Sequence, residues 1–81
     1  MECRILVQQR AADCTIQLAG RLEAAQVPEL RLVCATATGR LRLDLTDLLS
    51  ADAVGLDALR RLGQSGAEIV GVASYLRRWV L

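Results

Sequence analysis

The chain has 81 residues, of which 53% are hydrophobic, and a formal net charge of +1. That length makes one domain, residues 1–81, with a core of modest size, and that hydrophobic share excludes a disordered chain. A charge so close to zero excludes the bulk electrostatic pull toward nucleic acid or an anionic membrane surface.

Phe is absent and there is one Trp and one Tyr, so the core must be built from Leu, Val, Ile and Ala. No stretch approaches the ~18 apolar residues of a membrane span, and no charged segment followed by an apolar run opens the chain. The three cysteines, Cys3, Cys14 and Cys34, are odd in number and far apart in sequence. Cys3 and Cys14 fall at opposite ends of a hairpin turning near residues 10–13, too far apart for a disulfide. A reducing, cytoplasmic location is the expectation.

Residues 2–9 (ECRILVQQ) read as a first strand and residues 11–13 as a turn. Cys14, Ile16 and Leu18 then alternate with Thr15 and Gln17, the period-2 pattern of a strand with one buried face. Gly20 is expected to break that strand. Residues 24–36 read as a first helix, with Pro28 in its first turn and Val27, Leu30 and Cys34 as its inward stripe. Gly39 is expected to end it, as glycine tolerates the left-handed conformation common after a helix.

Leu41, Leu43 and Leu45 alternate with Arg42, Asp44 and Thr46. A parallel strand covered on both faces would be nearly all apolar, so helices are expected on one face only. After a short loop, Asp52 caps a second helix, from about Ala53 to Gln64, with Leu56, Leu59 and Leu62 inward. Gly63 and Gly66 mark its end. Residues 67–73 read as a continuously apolar, central strand. Ser74 starts a last short helix, with Leu76, Trp79 and Val80 on one side and Arg77 and Arg78 on the other. The expected fold is therefore two-layer α/β, in the order β-β-α-β-α-β-α. Its four-stranded sheet is mixed and mainly parallel.

Catalytic chemistry is thinly represented. There is no His, and hence neither the usual general base nor the commonest metal ligand. Ser50, Ser65 and Ser74 have no base partner in sequence, and the cysteines lack zinc-site spacing. Asp44, Asp47 and Asp52 cluster near the end of a strand, where a magnesium ion is conceivable. The simpler account is a polar-face residue, a turn residue and a helix cap. Arg60-Arg61 and Arg77-Arg78 could meet phosphates and Tyr75 and Trp79 could stack on bases, but solvated arginines and a packing Trp account for them better. No enzyme activity, cofactor, metal or nucleic-acid partner is expected.

Three blocks, in their order and spacing, resemble the STAS domain of bacterial anti-sigma-factor antagonists. Residues 16–30 (IQLAGRLEAAQVPEL) are similar to the family's strand ending in Gly, followed by an Ala-rich lead into a Pro-Glu-Leu helix. Residues 43–56 (LDLTDLLSADAVGL) are similar to D-L-S-x-V-x-x-x-D-S-S-G-L, with Asp44, Leu45, Thr46, Asp52, Gly55 and Leu56 in register. Residues 66–72 and 74–81 are similar to the last strand and an Arg-containing helix.

The resemblance implies a protein-interaction module of sigma-factor control, working by partner switching in transcription regulation. It would dock on an anti-sigma factor of serine-kinase-like fold through the stretch 48–56 and the exposed side of the second helix. The implied contact residues are Leu49, Ser50, Asp52, Ala53, Val54, Gly55, Leu56 and Arg60. The family's phosphorylated Ser corresponds to Ala53, which has no hydroxyl, so the usual phospho-switch cannot act there. Ser50 and Thr46 are the fallback acceptors. The alternative is a STAS accessory subunit on the ATPase of a bacterial lipid-transport ABC system.

Overall fold

A computed structural model of the chain describes residues 3–74 and Arg77. The elements are β1 (Arg4–Gln9), β2 (Asp13–Leu22), a 3-10 turn (Ala24–Gln26), α1 (Val27–Thr36), β3 (Arg40–Ala51), α2 (Ala53–Gln64) and β4 (Glu68–Val70). One four-stranded sheet runs in the order β1-β2-β3-β4. The pair β1–β2 is antiparallel, and β2–β3 and β3–β4 are parallel. The small α/β fold with a mixed, mainly parallel sheet is thus as expected. The last helix expected after Ser74 falls mostly on residues outside those described.

Register shows why one face is buried. Val7, Ile16, Leu43 and Ile69 stand side by side across the four strands, and Leu6, Gln17, Asp44 and Val70 form the neighbouring row on the other face. Ile16 and Leu43 are fully buried, together with Cys14, Leu18, Leu22 and Leu45. Leu30 of α1 and Leu59 of α2 close the same cluster. On the opposite face Arg42 and Glu68 form an exposed ion pair at 3.2 Å, of the kind that contributes little to stability.

The first helix departs from the sequence reading at its start. Residues 24–26 wind as a 3-10 turn, and the α-helix begins at Val27 with Pro28 in the first turn. Val27 and Leu30 are buried and Cys34 packs on the core, as the stripe implies. The glycine at 20 does not end β2. It lies inside the strand at φ 93°, and β2 runs on to Leu22.

The register with β3 slips between Gln17 and Ala19 and again between Gly20 and Arg21. At each slip β3 carries one more residue than β2, so these are bulges in β3. The first brings Leu48 inward although Leu45 is also inward. β3 therefore extends to Ala51, and the supposed loop before the second helix shrinks to Asp52.

The strand expected to be central, residues 67–73, is instead the short edge strand β4. Gly71, at φ 72°, turns the chain beside β3, and a Cβ there would collide with the Thr46 hydroxyl. Edge position, with partial exposure of Ile69 and Val70, is why the run need not alternate.

The other end of the sheet is tied by polar bonds. The Gln9 side-chain amide donates to the carbonyls of Arg10, Asp13 and Thr38 and accepts from the Thr38 N–H. Arg40 N–H donates to the Ala12 carbonyl at 3.1 Å. Register confirms that Cys3 and Cys14 lie at opposite ends of the hairpin, and all three thiols are free.

The core assignment predicts a sharp contrast. Leu43→Ala should cost about 2–5 kcal/mol, whereas Leu32→Ala, on the exposed side of α1, should stay within about 0.5 kcal/mol. Urea denaturation of the two variants measures both.

Candidate functional site

The junction of β2, β3 and α2 is organised by one residue. Asp52 takes an extended conformation (φ −80°, ψ −179°) at the N-cap of α2. Its Oδ1 accepts from the Gly55 N–H at 2.7 Å. Its Oδ2 accepts from the Ala24 N–H at 2.9 Å, at the start of the 3-10 turn. Its own N–H donates to the Leu22 carbonyl at 3.0 Å, and its carbonyl accepts from Leu56 N–H at 2.8 Å. One carboxylate thus satisfies free donors at two helix starts. Those two N–H groups, Gly55 first and Ala24 second, hold the Asp52 carboxyl below the usual carboxylate range.

Gly55 is there for space. It is buried, and a Cβ at its position would lie 2.5 Å from the Leu22 carbonyl oxygen and 3.1 Å from Leu22 Cγ. Any side chain would push α2 off the end of β2.

Around this knot the expected contact residues divide. Leu49 is 55% and Val54 49% exposed, on either side of Asp52. Ala53 is exposed at the first helical position, and Arg60 is exposed two turns on. Leu56 is half-buried and packs on the core. Ser50 is half-buried in the ladder opposite Arg21. Gly55 and the Asp52 carboxylate serve the fold itself. The surface left to a partner is Leu49, Ala53, Val54, part of Leu56, and Arg60.

A groove of about 390 Å³ lies along α2, lined by Ala53, Leu56, Asp57 and Arg60. These occupy positions i, i+3, i+4 and i+7, one face of a helix. Asp57 was not singled out by sequence, although this spacing from Ala53 carries it. It holds Arg61 in an ion pair at 2.8 Å, and Arg60 has no ion-pair partner among the described residues. The exposure of Leu49 has no signal in sequence. It follows from the second β3 bulge, where the register steps from Leu48 to Ser50.

The three aspartates do not converge. Asp44 accepts from the Thr46 hydroxyl at 2.6 Å and the Thr46 N–H at 3.0 Å. Those bonds, the hydroxyl first, pull its carboxyl below the ordinary range. Asp52 is engaged as described, and among the described residues no three His, Cys, Asp or Glu side chains are placed to hold a metal ion. The Thr46 hydroxyl is likewise committed to Asp44. Among the described residues no helix is long and apolar enough to cross a membrane. No family model matches the sequence, and no curated protein matches it.

Two outcomes follow from this geometry. Gly55→Ala should destabilise by about 1–3 kcal/mol through overpacking, lowering the melting temperature on the order of 10 °C. The Asp52 bonds stabilise fully above the unfolded pKa of about 3.9, and that stability is lost as pH falls through the lower folded value. Asp52→Asn leaves one acceptor oxygen for two N–H groups. It should melt lower at neutral pH and lose less on acidification from about pH 6 to pH 3, measured by circular dichroism.

Proposed function

We propose that the chain is a non-enzymatic STAS-like interaction domain, similar to bacterial anti-sigma-factor antagonists. It docks on an anti-sigma factor of serine-kinase-like fold. The observation that carries this reading is the pair of exposed apolar side chains, Leu49 and Val54, flanking a rigidly capped helix start beside the α2 groove. Each has about half its surface left to bury, on the order of 1 kcal/mol apiece on full desolvation. Arg60, with no ion-pair partner among the described residues, adds a cation at the far end of the groove.

The surface carries no phospho-switch at its centre. Ala53 stands at the exposed first position of α2 and has nothing to phosphorylate. Docking is then constitutive, or controlled through the partner. The same feature favours a second reading, an accessory subunit on an ABC ATPase of bacterial lipid transport, for which phosphorylation is not needed.

Affinity capture from the native lysate with mass spectrometry should recover one main ATPase-type partner. Val54→Arg should cut its retention at least about tenfold and Leu32→Arg should not. Recovery of chaperones alone, or equal loss with both variants, would sink the docking reading. Ala53→Ser should become phosphorylated by a kinase-like partner with ATP and should stay unmodified with an ABC ATPase.

A further inference from the structure

Among the described residues the outer edge of β1 is open. Arg4–Gln9 pairs with β2 on one side without a register slip, and no described strand pairs with its other side. Edge strands expose a row of unpaired N–H and C=O groups, usually blunted by Pro, Lys, a bulge or brevity. β1 has no Pro, Lys, Gly or bulge, and its centre is Ile5-Leu6-Val7. The opposite edge is blunted: β4 is three residues long and is followed by the turn at Gly71.

Val7 is the anomaly. It shares a row with Ile16 and Leu43, both fully buried, so it lies on the helix-covered face. Yet it is 49% exposed and takes no part in the core cluster, whereas Ile5 packs on that cluster. Among the described residues, the helix layer leaves Val7 half exposed at this edge. Leu6, on the other face, is 48% exposed.

We propose that β1 pairs with β1 of a second copy, antiparallel about a two-fold axis through Leu6, joining two sheets into one. Directly opposed residues share a face, so the axis must pass through a residue and not between two. Centred on Leu6, the pairing sets Leu6 against Leu6, Ile5 against Val7, and Arg4 against Gln8. Every apolar side chain meets an apolar one, the exposed Val7 is covered, and the guanidinium meets a neutral amide. Centred on Val7, it would set Leu6 against Gln8, Ile5 against Gln9 and Arg4 against Arg10. The Gln9 amide is already bonded to Thr38, and like charges directly opposite destabilise.

The seam spans residues 4–8 of each copy, below the ~1,200 Å² typical of stable complexes, so the dimer is reversible, with Kd in the micromolar-to-millimolar range. It lies apart from the surface on β3 and α2 discussed above and does not depend on that reading.

Sedimentation velocity over a concentration series should show the mass rising from one 8.8 kDa chain toward two. Leu6→Lys and Leu6→Glu, at an exposed position, should keep the native circular dichroism and stay monomeric, because like charges meet on the axis. An equimolar mixture should dimerise, because Lys then faces Glu. Amide resonances of residues 4–8 should shift on dilution, and those of residues 49–60 should not. A wild-type chain monomeric up to about 1 mM overturns the proposal and leaves the edge to a strand of another protein. A dimer that survives both charge variants, a mixture that stays monomeric, or dilution shifts confined to residues 49–60 would also overturn it.

Discussion

The close approach of the first turn of α2 to the end of β2 is the contact on which the rest of the architecture depends. The Leu22 carbonyl accepts the Asp52 N–H, and the glycine at 55 lets the helix come within van der Waals reach of that carbonyl. With the helix seated there, Leu59 joins Ile16 and Leu43 in the core cluster, and the second oxygen of Asp52 reaches Ala24. The start of the 3-10 turn and the start of α2 are therefore fixed by one carboxylate. Losing it would release both helix starts together.

Much of this was legible in sequence, and the reasons are specific. Asp before an apolar, helix-periodic run marks an N-cap, and α2 runs over Ala53–Gln64 as read. Alternation through Cys14, Ile16, Leu18, Leu43 and Leu45 identifies the buried face, because side chains of a strand alternate by geometry. The bulges were not legible. Nothing in Leu48-Leu49 distinguishes a strand that swallows an extra residue from a loop. Gly20 misled for a related reason: a positive φ is as compatible with an irregular strand as with a chain break. β4 misled because a continuous apolar run at a half-covered edge reads like a central strand.

The site divides along the same line. Asp52 and Gly55, two of the residues on which the resemblance rests, are ones whose chemistry is consumed by the fold. The residues that differ or carry no motif, Ala53, Val54, Leu49 and Arg60, are the ones at the surface. A motif of this kind reports how a helix is anchored. What the anchored helix displays is written in the exposed positions between.

The direction of the strands gives the molecule two unlike ends. β1 runs antiparallel to β2, and β4 runs parallel to β3. The start of β1, the end of β4 and the Asp52 junction therefore all lie toward one end. The opposite end holds the connections around Ala12, Thr38 and Gly66, the first two cross-bonded. Any label, bead or fused domain attached before Arg4 or soon after Val70 is delivered to the same end as the apolar surface at Leu49 and Val54. A tether at Ser65, exposed beside the Gly66 turn, would hold the molecule by its far end.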